Sequence, residues 1–225
     1  MTLPMIRSSE ELAKLVEEIG FLPLFGNDIP GFSLKDCTPK ELWFVEGVKG
    51  PWEWREDLAV GGKIAYGKLF RGNAGFVSLE WYPDLVNYRR NGYDFDSLYE
   101  DGLAPRKNKF VMDVMYEYEG LLSTDIKKMA GFGKEGMKGF DSVLTQLQMQ
   151  TYLTVKAFEY KKDKQGKTYG WGVGRYIMPE KYYGEDLVRS AYERDPEESL
   201  ERLLEQAAKI APEAGRKELM KLLKA

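Results

Sequence analysis

The stretch 121–178 most constrains what this chain folds into, because two short helical patterns are followed there by two strand patterns. The second helical pattern repeats apolar residues at i, i+3, i+4 and i+7, which places them on one face of an α-helix. These residues are Phe140, Val143, Leu144 and Leu147. Apolar and polar residues then alternate at 153–157 and at 169–173, which predicts two antiparallel strands. This order of elements predicts a winged helix-turn-helix.

The region before this stretch predicts a mixture of helices and strands. Ser8 followed by Glu11 is the pattern of a capping box at the start of a helix. Strand patterns at 63–70 and 76–81 are joined by turn-forming residues at 71–75, which predicts a β-hairpin.

Two segments before the hairpin are less regular. Three prolines at 21–39 predict an ordered loop with little regular structure. Thr38 before Pro39 predicts a short helix at 38–45, with Thr38 as its N-cap.

Proline and capping residues also mark the later helices. Pro105 precedes a helical repeat, and Asp195 before Pro196 predicts the start of another helix. We therefore expect an α+β fold with three parts: an N-terminal α/β region containing the β-hairpin at 1–104, a winged helix-turn-helix at 105–180, and a C-terminal helical segment at 181–225.

Composition excludes several kinds of chemistry. The 225 residues include no histidine and one cysteine, Cys37. Catalysis by Ser-His-Asp or Cys-His groups and a histidine-ligated metal are therefore excluded, and Cys37 is expected to be a small buried residue. We expect no metal and no cofactor. The sequence has no run of about 18 apolar residues and no signal-peptide pattern, so we expect no membrane partner and a cytoplasmic protein.

The charge is unevenly distributed along the chain. The net charge is −3, but the stretch 121–178 holds ten basic and five acidic residues. A positive patch on an otherwise acidic protein attracts a polyanion to one place. This pattern indicates duplex DNA as the partner of the predicted winged helix.

Two groups of residues are candidates for contacting DNA. Lys138, Ser142 and Thr145 lie on the polar face of the second helix, which is the face that enters a major groove in such folds. The loop between the two strands carries Lys161, Lys162, Lys164 and Lys167. The alternative is that both groups are simply a solvated helix face and loop tip.

Several short runs resemble a known family. They are Trp52-Glu53-Trp54, the run Tyr66 to Gly72, the run Phe140 to Gln148, and Gly170-Trp171-Gly172. Over roughly 38–184 the chain is similar to the AlkZ-related proteins, which are shorter relatives of the AlkZ-like winged-helix DNA glycosylases. The resemblance implies a winged-helix fold and a link to the removal of alkylated or crosslinked bases from duplex DNA.

The chain departs from the glycosylases of that family in one motif. Those enzymes carry a Gln-apolar-Gln or Gln-apolar-Asp motif near the N-terminus, whereas the first glutamine here is Gln146. The string Gln146-Leu147-Gln148 lies in a predicted helix, where residues two apart point about 200° apart. These two glutamines therefore cannot hold one water molecule together.

The tryptophan segment holds the candidates for a reaction. Chemistry on a base requires an aromatic surface for the extruded base and a polar group that acts on it. Trp52, Trp54 and Arg71 are the candidate substrate-binding residues, and Glu53 and Glu80 are the candidate catalytic carboxylates. The alternative is structural: core tryptophans, an ion pair between Glu53 and Arg71, and Glu80 on the exposed side of a strand.

Three functions remain open at this stage. The chain is a DNA glycosylase, a non-catalytic DNA-binding or regulatory protein, or a winged-helix module that binds another protein. The C-terminal helices also make a homo-oligomer possible, since their apolar faces need a surface to pack on.

Overall fold

The computed structural model describes residues 3–166 and 168–224. Within these residues the protein is a mixed helix and strand structure with two small antiparallel sheets. The strands are β1 (Phe21–Pro23), β2 (Ile64–Phe70), β3 (Asn73–Ser78), β4 (Leu121–Leu122), β5 (Thr154–Lys162) and β6 (Thr168–Ile177). The helices are α1 (Ser9–Ile19), α2 (Pro51–Gly61), α3 (Tyr82–Arg90), α4 (Phe95–Glu100), α5 (Arg106–Glu117), α6 (Ser123–Met129), α7 (Phe140–Met149), α8 (Pro179–Tyr183), α9 (Glu185–Val188), α10 (Pro196–Ile210) and α11 (Arg216–Leu223).

The first sheet has the strand order β1-β3-β2. The predicted hairpin is confirmed, but its turn is shorter than expected. Arg71 and Gly72 form a two-residue loop with φ angles of 52° and 78°, the positive values that a type I′ turn requires at both positions. The second strand accordingly begins at Asn73 and ends at Ser78, where the Trp81 N–H bonds to the Ser78 carbonyl and α3 follows.

For the segment between α1 and α2, one prediction is confirmed over most of its length and one is wrong. Residues 24–39 form the expected loop with little regular structure, although the segment begins with the short strand β1, which pairs with β3 through Leu22 and Phe76. The helix expected at 38–45 is only a single 3₁₀ turn at Lys40–Leu42. Thr38 does not cap it, because its hydroxyl donates back to the Leu34 carbonyl and accepts a bond from the indole of Trp43.

The second sheet has the strand order β4-β6-β5, and β5 and β6 form a long hairpin. The predicted strands and the helix α7 are confirmed. Glycine is required within β6, because a Cβ on Gly172 would lie 2.9 Å from Cζ of Tyr160. The Tyr160 ring therefore lies across the neighbouring strand.

The buried apolar residues form two clusters. The larger one joins residues between Leu3 and Val86 to the C-terminal helices α10 and α11. The smaller one lies almost wholly between Phe95 and Leu153 and is built on α5, α6 and α7. The apolar faces of α10 and α11 are thus buried within the chain's own core. Cys37 is buried as expected, and burial raises the pKa of its thiol to about 12.

Arg89 joins α7, which belongs to the smaller cluster, to β2 and α11, which belong to the larger one. Its guanidinium donates to the carbonyl oxygens of Leu69 at 2.5 Å, Met149 at 2.9 Å and Leu223 at 2.8 Å. These carbonyls lie at the ends of β2, α7 and α11, and those at helix C-termini carry partial negative charge. One cation therefore fixes where α7 sits against the first sheet.

No helix in the described part of the chain is both long enough and apolar enough to cross a lipid bilayer.

Candidate functional site

An open groove of about 680 Å³ lies between the segment 44–49, the start of α2 and the β5–β6 hairpin. Its walls are aromatic: Phe44, Trp52, Tyr160 and Trp171. Ring centroids are 5.5 Å apart for Phe44 and Trp52, and 5.5 Å for Trp52 and Trp171, which meet edge to face. Phe44 is 61% exposed and Trp171 is 72% exposed. Such exposure of large apolar rings on a folded surface indicates a binding surface.

Helix α2 positions one wall of this groove. Pro51 occupies its first turn, and the Glu53 carboxylate accepts a 2.9 Å bond from the Gly50 N–H, which closes a capping box. Because Trp52, Arg55 and Glu56 are spaced i, i+3 and i+4, they share one face of the helix. That face is directed toward the β5–β6 hairpin.

Arg55 packs against the buried side of the Trp52 ring. Its guanidinium carbon lies 3.9 Å from the ring centre of Trp52 and 3.9 Å from that of Phe158. The side chain is only 2% exposed, and it reaches the Glu56 carboxylate at 3.3 Å. A cation held between two aromatic faces away from water fixes both rings in place.

Glu56 lies behind the groove wall and contacts the groove through Tyr160. It accepts a hydrogen bond from the hydroxyl of Tyr160, which lines the groove. Burial raises the pKa of Glu56, and this effect outweighs the hydrogen bond from Tyr160 and the charge of Arg55. The pKa of the Tyr160 phenol is raised to about 12, first by burial and then by Glu56. The shared proton therefore stays on the tyrosine near neutral pH.

The structure brings together only some of the residues that the sequence singled out here. Trp52 and Glu53 both border the groove. Trp54 faces the core at 2% exposure, and its indole donates to the Lys49 carbonyl at 2.9 Å. Among the described residues, Arg71 and Glu80 do not border the groove.

These two residues lie elsewhere on the surface. Arg71 forms an ion pair with Asp28 at 3.1 Å, so the structural alternative of an Arg71–Glu53 pair is wrong. Glu80 is exposed in the turn between β3 and α3, and not on the side of a strand as expected.

Helix α7 is covered along much of its length. The Lys68 ammonium donates to the Thr145 hydroxyl at 3.1 Å, and the Lys68 N–H donates to the Gln148 side chain at 3.0 Å. Gln148 also donates to the Leu144 carbonyl at 2.9 Å. The strand β2 therefore packs on the polar face that the sequence assigned to DNA, and Gln148 is a structural residue.

The first turn of α7 is open to solvent. Ser142 is exposed there. Lys138 lies just before the helix, and its ammonium donates to the carbonyls of Gly133 at 2.8 Å and Lys134 at 2.6 Å. The Lys138 ammonium therefore stabilises the turn that precedes the helix.

The lysines at the tip of the β5–β6 hairpin are open to solvent. Lys161 and Lys162 end β5, Lys164 follows in the loop, and all three are exposed. Within the described residues none of them has an ion-pair partner. Lys167 lies outside the described residues.

Sequence reasoning missed Arg55, Glu56, Phe44, Tyr160 and Trp171 as a group. The spacing of Trp52, Arg55 and Glu56 is the signal that would have found part of it, because it predicts one helical face carrying a ring, a cation and a carboxylate. The remaining rings come from a loop and from the β-hairpin, which no local pattern joins to α2.

The fold and the groove define a mixed helix and strand protein with an aromatic surface beside a basic hairpin. The family model described as AlkZ related matches residues 6–224, a longer stretch than the 38–184 on which the resemblance rested. The chain belongs to the AlkZ-related family, which relates it to DNA glycosylase-like proteins. Neither the curated proteins nor the solved structures gave a match.

Proposed function

We propose that this protein binds duplex DNA through a winged helix-turn-helix formed by α5, β4, α6, α7 and the β5–β6 hairpin. The chain order of helix, strand, helix, helix, strand and strand supports this, and so does the sheet order β4-β6-β5. The family relation supports a role on DNA.

We propose 105–180 as the DNA-binding unit. The regions 1–104 and 181–225 then serve as its support, since α1, α10 and α11 contribute to one hydrophobic cluster.

The observation that carries the proposal is the basic hairpin. Lys161, Lys162 and Lys164 are exposed, lack ion-pair partners within the described residues, and extend from the body of an acidic protein. A cluster of free lysines releases counterions when it meets phosphates, which is the main source of sequence-independent affinity for DNA. Because β2 covers Thr145 and Gln148, we assign the main contact to the wing and to the open first turn of α7.

Salt dependence of binding tests this proposal. Fluorescence anisotropy with a labelled 20-base-pair duplex, at a series of salt concentrations, gives the slope of log K against log salt. Neutralising Lys161, Lys162 and Lys164 to Gln together should reduce that slope by roughly 3, at about 0.9 for each phosphate that a lysine no longer neutralises. The matched control neutralises Lys14, Lys209 and Lys217, which are equally exposed on other elements; its slope should not change. Absent or salt-insensitive binding by the unmodified protein contradicts the proposal.

A second candidate function is removal of a damaged base, and Glu56 is the observation that favours it. A carboxyl group with a raised pKa that holds the hydroxyl of a groove-lining tyrosine is suited to exchange protons, through the Tyr160 hydroxyl, with a base held in the groove. Hydrolysis would break the glycosidic bond, with water forming the new bond to the sugar carbon and the base leaving with the electron pair and a proton.

An assay for abasic sites in duplex DNA that carries an N-alkylated purine tests this candidate. Glu56→Gln should abolish the product. Glu80→Gln is the control, because Glu80 is exposed and lies outside the groove; it should leave the amount of product unchanged. No product from the unmodified protein across a panel of lesions leaves a DNA-binding protein without this activity.

A further inference from the structure

The aromatic groove takes no part in the DNA contacts proposed for α7 and the lysines. A continuous row of ring contacts runs from Phe25 through Trp43, Phe44 and Trp52 to Trp171, with centroids 5.5–5.8 Å apart. Two rings of the row, Phe44 and Trp171, are its most exposed members. Both therefore present apolar surface to solvent where a ligand can reach it.

The centre of the row is held in place by packing. Arg55 is clamped between Trp52 and Phe158, which fixes the centre of the row. Phe44 has a φ angle of 58°, which is costly for a bulky residue and persists only where the surroundings impose it. A surface whose rings are already in place loses little entropy when it binds a ligand.

The charges nearby indicate what kind of ligand fits. Glu46, Glu53 and Lys49 line the groove itself, and Lys49 is paired with Asp57 at 2.7 Å, whereas Lys161, Lys162 and Lys164 lie on the same hairpin as Tyr160 and Trp171. A ligand that matches this pattern has flat rings for the groove and negative charge that is displaced toward the wing. Unpaired nucleotides have this chemistry, since their bases expose π-faces for stacking and their phosphates lie to one side.

A perfect duplex does not match the pattern. Its base faces are stacked on one another, so it offers only edges in its grooves. The element that would read those edges, α7, is covered by β2 at Thr145 and Gln148. An apolar peptide would fill the groove without making use of the lysines.

We propose that the groove of Phe44, Trp52, Tyr160 and Trp171 binds unpaired nucleotides that lie next to duplex DNA held by the wing. This inference rests on the proposed DNA binding and names the form of DNA that the same site prefers. The bases stack in the groove, and their phosphates run toward Lys161 and Lys162.

Anisotropy with two labelled ligands tests the proposal: a 20-base-pair duplex, and the same duplex with a six-nucleotide single-stranded overhang. The overhang should tighten binding by about ten-fold, the order of magnitude that stacking of one base supplies. Trp171→Ala and Phe44→Ala should each remove most of that gain and leave affinity for the perfect duplex unchanged. Val60→Ala is the control, since Val60 is 62% exposed at the far end of α2 and outside the groove; it should keep the full gain.

The outcomes separate this inference from the function on which it rests. Equal affinity for both ligands, or a gain that survives both aromatic substitutions, overturns the groove assignment and leaves duplex binding in place. Binding of neither ligand at low salt overturns both proposals. Self-association in light scattering that Trp171→Ala abolishes, with no change in the overhang gain, assigns the groove to a second copy of the chain and overturns the inference. Circular dichroism confirms that each variant is folded.

Discussion

The stacked arginine under the groove leads to a prediction about stability. Arg55→Met removes the charge but keeps a long side chain in the same space. Two cation–π contacts at a site shielded from water stabilise the fold by about 4 kcal/mol, at about 2 kcal/mol each. Two effects oppose this loss. Nε of Arg55 has no hydrogen-bond partner among the described residues, a cost of about 1–3 kcal/mol that the substitution relieves. A methionine sulfur also gains roughly 1 kcal/mol against the rings.

With about 2 kcal/mol taken for the unpaired Nε, the balance is a net loss of about 1 kcal/mol, equivalent to a fall in Tm of roughly 2–4 °C for a chain of this size. Urea denaturation followed by tryptophan fluorescence measures it directly. Arg55→Lys is the matched variant, because it keeps the positive charge and loses the flat guanidinium; it should be destabilised at least as much. A methionine variant as stable as the original protein, or a lysine variant with no loss, would refute the argument that stacking outweighs the cost of the buried charge.

Three further predictions use the same denaturation assay. Gly172→Ala should lower the free energy of unfolding by about 1–3 kcal/mol, because the added Cβ meets the Tyr160 ring at 2.9 Å. Gly61→Ala, in a helix with open space around it, should instead raise it by up to about 1 kcal/mol. Equal effects of the two substitutions would contradict the packing argument. Arg89→Leu leaves three carbonyl oxygens without their donor and should lower the free energy of unfolding by at least about 3 kcal/mol. A smaller loss, measured from the urea midpoint, would show that water replaces the guanidinium as the donor. Glu56→Gln should flatten the pH dependence of the free energy of unfolding. Burial raises the pKa of this carboxyl, so the folded state binds the proton more tightly than the unfolded state, and the stability that this supplies is lost as the pH rises above about 4.3. An unchanged pH profile would contradict the burial argument.

Local patterns in the sequence predicted the elements well. The apolar repeat of α7, the alternation in β5 and β6 and the N-cap at Ser8 were confirmed, because each depends on residues only a few positions apart. The reciprocal half of the capping box differs, because Glu11 accepts from the Arg7 N–H. The prediction at 38–45 failed because the Thr38 hydroxyl bonds to Leu34 in preference to a helix that begins after it.

The site was harder to predict because its contacts span long distances in the sequence. The hydrogen bond between Lys68 and Gln148 joins residues 80 positions apart, and it covers a face of α7 that its own periodicity marks as exposed. The groove likewise combines a loop, a helix and a hairpin. Glu53 is singled out in the sequence because it stands between two tryptophans and it does border the groove, but the carboxylate that accepts the Tyr160 hydroxyl is Glu56.

The two hydrophobic clusters differ in how early they can form as the chain is synthesised. The cluster between Phe95 and Leu153 is local, so its helices can pack while the rest of the chain is still being made. The larger cluster needs α10 and α11 to reach back to residues near the N-terminus, and Asn87 bonds to Ser199 across 112 positions. We therefore expect the larger cluster to stay incompletely packed, with apolar surface exposed, until α10 and α11 have been synthesised.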